Sequence, residues 1–292
     1  MREPEILLNV SAPELAIAAA QLPAAGVGLL RAEFLALSSG RHPGAVLAEG
    51  GADAYVSFFK AGIRAVAEAF YPRPVTYRSL DLKSNEYRNL LGGDEFEPVE
   101  ANPMLGRRGV FRYLRRPDEF RLELQALVEL RSEGLDNVKL MIPFVRTVEE
   151  LAEAKGIVDE SGLLAQPGFE LWAMAEVPST ALVPELFAAH VAGLSIGSND
   201  LVQLVLGVDR DAADMQDGYD VMDPGVLEAI SRIIDGGHAR GAAVSICGDQ
   251  PSHRPELVRE LVAMGIDAIS VPPSAFEATR AVLEEMSAER TA

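Results

Sequence analysis

The chain has 292 residues, 48% hydrophobic and 24% charged, which is material for one large domain with a sizeable core and excludes global disorder. Its 26 Lys and Arg against 44 Asp and Glu give a formal charge of −18, which excludes a general nucleic-acid binder with a broad basic face. One cysteine, Cys247, excludes an intrachain disulfide and suits a reducing cytoplasm; the opening MREPEILLNV is no signal peptide, and no run reaches the roughly 18 apolar residues of a membrane span.

In chain order, short apolar runs alternate with amphipathic helical stretches. The strand candidates are Ile6–Val10, Val27–Leu30, Val75–Leu80, Val138–Pro143, Glu170–Glu176, Gly193–Ile196, Val244–Cys247 and Ala268–Val271. Most are nearly continuous apolar segments, the pattern of parallel strands covered on both faces. Helical periodicity marks Asp53–Phe70, Asp118–Ser132, Val148–Asp159, Pro224–Ala239 and Pro255–Met264. Eight strands alternating with helices predict a closed (β/α)₈ TIM barrel, with an open doubly wound sheet as the alternative. One insertion, Lys83 to about Arg116, follows the third strand and is far longer than an ordinary loop of about 2–6 residues. No second domain, repeat or low-complexity segment is visible, so residues 1–292 read as a single domain. Residues Met286–Ala292 are expected to fray.

Barrel chemistry sits at the C-terminal mouth of the strands, so the polar residues closing each run are the candidates. These are Arg31 and Glu33, Arg78 and Asp81, Arg146, Glu176, the trio Ser198–Asn199–Asp200, and Cys247; the insertion adds Arg107 and Arg108, and LGVDRD adds Arg210. Glu176 and Asp200 close adjacent strands and suit a hard divalent ion such as Mg²⁺. Arginines around them suit phosphate and carboxylate, which the guanidinium fork binds through paired hydrogen bonds. In SIGSND, Gly197 frees the turn and Ser198–Asp200 lead into helical Leu201–Leu206, whose first N–H groups suit an anion. Each residue alone has an ordinary reading: a buried inert thiol, a loop cap, a solvated arginine, a common turn. Their shared position at one end of successive strands is what points to a site.

GVGLLRAEF, SLDLKSNEYRNLLGG, ANPMLGRRG, VKLMIPFVRT, AEVPST, GLSIGSNDLVQLVLGVDRD and SICGDQPS, in this order between Gly26 and Ser252, carry a resemblance over nearly the whole chain. They resemble the phosphoenolpyruvate/pyruvate-binding barrel of the phosphoenolpyruvate-utilising enzymes, in its phosphoenolpyruvate synthase (pyruvate, water dikinase) form. Pyruvate phosphate dikinase and Enzyme I of the sugar phosphotransferase system are relatives. The resemblance implies that Glu176 and Asp200 hold Mg²⁺ and that Arg31 and Arg78 clamp the transferring phosphoryl group. Asn199, Asp200 and the backbone beside Ser198 would meet the substrate, and Arg210 and Arg108 would complete the cationic wall. Cys247 would exchange a proton with C3 of the pyruvate enolate.

The family's full reaction needs an ATP-binding module and a mobile phosphohistidine domain. None of His42, His190, His238 and His253 lies in the carrier context, and no Gly-rich nucleotide loop is evident. This chain alone is therefore expected to bind phosphoenolpyruvate or pyruvate and to need those modules in trans or from a longer protein. A homodimer is implied by resemblance only. Two departures are Val202, where relatives carry Thr, and GDQPSH at Gly248–His253 in place of GQGPSD. A stand-alone lyase acting on an oxo acid by aldol cleavage or decarboxylation, and a non-catalytic phosphoenolpyruvate sensor, are the competing readings.

Overall fold

A computed structural model describes residues 3–209 and 219–291. Eight parallel strands close into a barrel in sequence order: β1 Glu5–Val10, β2 Gly26–Arg31, β3 Val75–Arg78, β4 Val138–Ile142, β5 Leu171–Ala175, β6 Gly193–Gly197, β7 Ala243–Cys247 and β8 Ala268–Val271. The last strand returns to the first, Glu5 facing Ala268. The open-sheet alternative is thereby excluded. The apolar runs form strands because side chains on one face meet the surrounding helices while the other face fills the barrel. A large core lies between barrel and helices, with Phe59, Ile63, Leu127, Ile233 and Leu261 all fully buried. Inside the barrel Leu29, Met141, Met174 and Cys247 form a small apolar plug, with Trp172 packed beneath it.

Strand ends shift where side chains take over the backbone's hydrogen bonds. β3 stops at Arg78 rather than Leu80 because the Leu80 N–H donates to the Glu123 carboxylate and its carbonyl accepts from the Tyr113 hydroxyl. β4 stops before Pro143, which has no N–H to give. The helix expected from Asp53 is the second arm of Pro43–Phe70, broken at Gly51 (φ 74°). The other four expected helices appear as Pro117–Ser132, Val148–Glu160, Pro224–His238 and Pro255–Met264.

The C-terminal segment corrects an expectation. Helix Phe276–Thr291 runs through the described part of the segment expected to fray, 286–291. Leu283 is buried, Met286 packs against the core, and Arg259 on Pro255–Met264 pairs with Glu285 at 3.0 Å and Glu289 at 3.1 Å. Long-range packing, not local periodicity, holds it.

The insertion is folded on itself through short helices Ser84–Arg88, Gly93–Phe96 and Val110–Arg115. Its buried anchor is Glu97, which accepts from His42 Nε2 at 2.9 Å and from Arg112. The Gly44 N–H donates to His42 Nδ1 at 2.9 Å, which leaves Nε2 as the protonated nitrogen.

Candidate active site at the barrel mouth

The C-terminal ends of β2, β3, β5, β6 and β7, with the insertion, enclose a cavity of about 230 Å³. Its wall contains Arg31, Arg78, Arg108, Glu176, Ser198, Asn199, Asp200 and Cys247. Most site residues expected from the sequence are therefore gathered in one place; Arg210 lies outside the described residues. Arg107 and Arg146 take no part in this wall. Arg146 turns instead to the insertion, donating to the Gly106 carbonyl at 2.7 Å.

Three buried carboxylates form the centre. Oxygens of Asp81, Glu176 and Asp200 all lie within 4.8 Å of one another. Glu176 leaves β5 at the point where Gly197 of β6 makes room; a Cβ on Gly197 would come 2.5 Å from Glu176 Oε2. The Phe144 N–H donates to Glu176 Oε1 at 2.8 Å. Burial, then the charges of Asp200 and Asp81, push the Glu176 carboxyl up to about 8 against the pull of Arg78 and Arg108.

The guanidiniums are fixed by these acids. Arg108 forks onto Asp81, Nε at 3.0 Å and Nη2 at 2.6 Å, and reaches Asp200 at 2.8 Å. Its Cζ lies 3.9 Å from the Phe144 ring centre. Arg78 donates to Glu33 at 2.6 Å and to the Met174 sulfur at 3.3 Å. Burial alone would lower both guanidiniums, but the carboxylates outweigh it, Glu33 first for Arg78 and Asp81 first for Arg108, so both are raised and stay charged. Glu33 is itself raised by burial, and its second oxygen, Oε2, is buried with no hydrogen-bond partner. Arg31, half-buried, lies over Phe34.

The floor is the thiol. Cys247 Sγ sits on the apolar plug and accepts from the Ser195 hydroxyl at 3.7 Å. Burial pushes this thiol up, against the Ser195 hydrogen bond and the arginine charges, so it stays protonated at neutral pH. Beside it, Ser198 opens helix Ser198–Leu206 and donates to the Cys247 carbonyl at 2.8 Å, while Asn199 Nδ2 donates to Asp249 at 3.2 Å. The GDQPSH departure thus places a carboxylate against Asn199.

Two features escaped the sequence reading. Asp81 was visible as an acid closing the third strand, and its partnership with Glu176 and Asp200 emerges only when non-adjacent strands converge. Phe144 carried no signal: its φ of 47° is the one positive value among described non-glycine residues, and a bulky aromatic gives no warning of that.

Comparisons with known proteins show the family. The model of the PEP-utilising enzyme, PEP-binding domain, matches residues 1–288. A probable phosphoenolpyruvate synthase of Staphylothermus marinus is 48% identical over 282 residues, covering 94% of this chain and 34% of its own length. The phosphoenolpyruvate synthases of Aeropyrum pernix and Pseudomonas aeruginosa are 47% and 40% identical, covering 94% and 92% of this chain and 34% and 37% of their own lengths. The chain spans about a third of these relatives. Among solved structures, an HpcH/Hpal aldolase/citrate lyase family protein from Burkholderia cenocepacia superposes with a TM-score of 0.55 at 17% identity, covering 98% of this chain and 95% of its own. A citrate lyase from Burkholderia xenovorans gives 0.56 at 19%, covering 97% and 78%. At those identities the likeness is one of fold. The family match runs through all eight strands and the insertion, and the chain belongs to the PEP-utilising enzymes as their PEP-binding domain.

Proposed function

We propose that this barrel binds phosphoenolpyruvate or pyruvate together with Mg²⁺ at its mouth. There it would serve the half-reaction in which a phosphoryl group passes between phosphoenolpyruvate and a phosphohistidine. The observation that carries this reading is the convergence of three carboxylates, three guanidiniums and one protonated thiol on a single cavity.

The acids fit a magnesium ion: all donors are hard oxygens, they are buried, and their mutual repulsion calls for a cation. Glu176 and Asp200 would hold it, with Asp81 kept close by the Arg108 fork. When bound, Mg²⁺ supplies electrostatic stabilisation of the negative charge that develops on the substrate's enol oxygen. Arg31 and Arg78 would bind the phosphoryl oxygens, whose charge is spread over three atoms in transfer. Asn199 and Arg108 would orient the substrate from the opposite side. As the phosphoryl group leaves for the histidine nitrogen, the substrate's oxygen keeps the electron pair as pyruvate enolate. Cys247 Sγ would then give its proton to C3, yielding pyruvate and a thiolate that must be reprotonated before the next cycle. The apolar plug around the thiol would keep water from that carbon.

In this reading residues 1–292 are one barrel domain, with 83–116 forming part of the mouth, working in the cytoplasm. Among the described residues no helix is long and apolar enough to cross a membrane. The phosphohistidine and ATP-binding parts would come from a longer protein or from partners in trans. A homodimer through the barrel completes the proposal, and sedimentation giving only monomer would remove that element.

The test is exchange of deuterium into the pyruvate methyl group. Wild-type chain exchanges in Mg²⁺ and stops on chelation; Cys247→Ala binds pyruvate yet loses exchange. Tight phosphoenolpyruvate binding with no exchange in the wild type would replace this reading by a sensor.

A further inference from the structure

On the outer side of the insertion lies a second cavity, of about 320 Å³, lined by Phe96, Glu97, Pro98, Phe111 and four arginines, Arg107, Arg112, Arg115 and Arg116. Four guanidiniums on one small cavity are out of keeping with a chain of formal charge −18. We propose that this cavity is a second anion site, distinct from the barrel mouth, which takes a small phosphate-bearing metabolite.

Two of the arginines build the site and two are left to receive a ligand. Arg112, buried, is committed to Glu97, and its guanidinium lies 4.2 Å from the Tyr87 ring centre. Arg116 bonds Glu119 at 2.8 Å and the Phe96 carbonyl at 3.1 Å. Arg107 and Arg115 hold no ion pair among the described residues. Arg115 is held over Phe111, 5.1 Å from its ring centre, so its fork is partly pre-ordered by stacking. Glu97 is the one acid in the wall, and His42 and Arg112 already occupy it. Glu100, which accepts from the Arg107 backbone N–H at 3.1 Å, is the acid that a ligand at Arg107 must outcompete. A cavity this size is at the lower end for metabolites, so a compact phosphate ester fits better than a nucleotide. Planar guanidiniums match phosphate oxygens in pairs, and this is why phosphate is the class chosen.

The position gives binding there a consequence. Arg107 adjoins Arg108, which bonds Asp81 and Asp200, and Arg146 fastens Gly106 of the same loop. Drawing Arg107 toward a ligand would shift the segment that carries Arg108.

Pyrophosphate is the probe, titrated calorimetrically at low ionic strength into the intact chain, with malonate and a poly-glutamate peptide in parallel. Arg107→Gln/Arg115→Gln, both at exposed positions, is expected to weaken pyrophosphate at least tenfold, while Arg31→Gln in the mouth leaves this binding unchanged. Equal affinity in wild type and the double variant overturns the site; loss in Arg31→Gln alone assigns the pyrophosphate to the mouth and overturns it too. Tighter binding of malonate overturns the phosphate class, and binding of the peptide alone replaces the metabolite by an acidic partner. None of these outcomes bears on the deuterium exchange, so the two proposals fail separately.

Discussion

Phe144 links the parts of the mouth, and replacing its ring with an aliphatic side chain should uncouple them. Its N–H donates to Glu176, and its ring is flanked by Arg108 at 3.9 Å and Arg146 at 4.6 Å. The φ of 47° is what aims the N–H at the carboxylate. Strain of this kind costs on the order of 1–3 kcal/mol and persists where surrounding contacts over-determine it. Those contacts are visible: the Val110 N–H donates to the Pro143 carbonyl at 3.1 Å, and Gly109 lies so close that a Cβ there would stand 2.5 Å from Phe144 Cβ. Phe144→Leu removes three carbons from a buried site together with a desolvated cation–π contact, so stability should fall by on the order of 2–4 kcal/mol. Arg108, no longer seated on the ring, loses part of its pre-ordering, and re-ordering one such side chain costs about 0.5–1.5 kcal/mol, up to roughly a tenfold loss of phosphoenolpyruvate affinity. Phe144→Tyr, retaining the π face, should recover most of it. Calorimetric titration reads the affinity and urea unfolding reads the stability. A cycle with Arg108→Lys should be non-additive by at least about 0.5 kcal/mol. Affinity within twofold of wild type in Phe144→Leu, with additive effects in the cycle, would mean that the ring only fills space.

Two further outcomes follow from buried acids. Burial raises Glu123 to about 8, against the hydrogen bonds donated by the Tyr77 hydroxyl and the Leu80 N–H. With its folded value above the unfolded one near 4.5, its stabilising contribution is complete below about pH 4.5 and is lost as pH rises through about 8, by on the order of a few kcal/mol. Glu123→Gln keeps both acceptor contacts, so the difference in unfolding free energy between wild type and variant should change steadily between pH 5 and 9, with wild type losing ground; a flat difference would contradict the burial argument. Glu176→Ala should abolish the Mg²⁺-dependence of phosphoenolpyruvate binding, and calorimetry showing it intact would remove Glu176 from the metal's ligands.

How much of this was legible in the sequence depends on whether a feature is local. The strands were, because burial on both faces leaves a continuous apolar run, as in Gly193–Ile196. The placement of acids at their ends was as well, since Glu176 and Asp200 directly follow or closely adjoin such runs. The end of β3 was not legible, because Glu123, which takes the Leu80 N–H, is 43 residues away. The last helix was misjudged for the same reason: its hold on Arg259 spans 26 and 30 residues. Asp81 lay in view, but the sequence orders acids along a line and cannot show that three strand ends meet. Arg146 lay in view too, and its direction is set by the carbonyls of a distant insertion.

The charges of the mouth bear on the proposal that anion and metal bind together. Its wall carries four cations, Arg31, Arg78, Lys83 and Arg108, against five carboxylates, Glu33, Asp81, Glu86, Glu176 and Asp200, a formal balance of −1. A multiply negative substrate gains little from such a pocket, because two of its three guanidiniums, Arg78 and Arg108, are already engaged by acids at close range. The raised carboxyls of Glu33 and Glu176 express the same excess: the pocket holds more negative charge than it can solvate on its own. A divalent ion held by Glu176 and Asp200 would reverse the sign to +1, and competition for Asp200 would free one Arg108 donor toward the substrate while the fork onto Asp81 stays. Phosphoenolpyruvate affinity should therefore fall at least tenfold when Mg²⁺ is chelated, and K⁺ at equal ionic strength should not restore it. Equal affinity with and without the divalent ion would show that the arginines alone bind the anion, and the carboxylate cluster would then need another purpose.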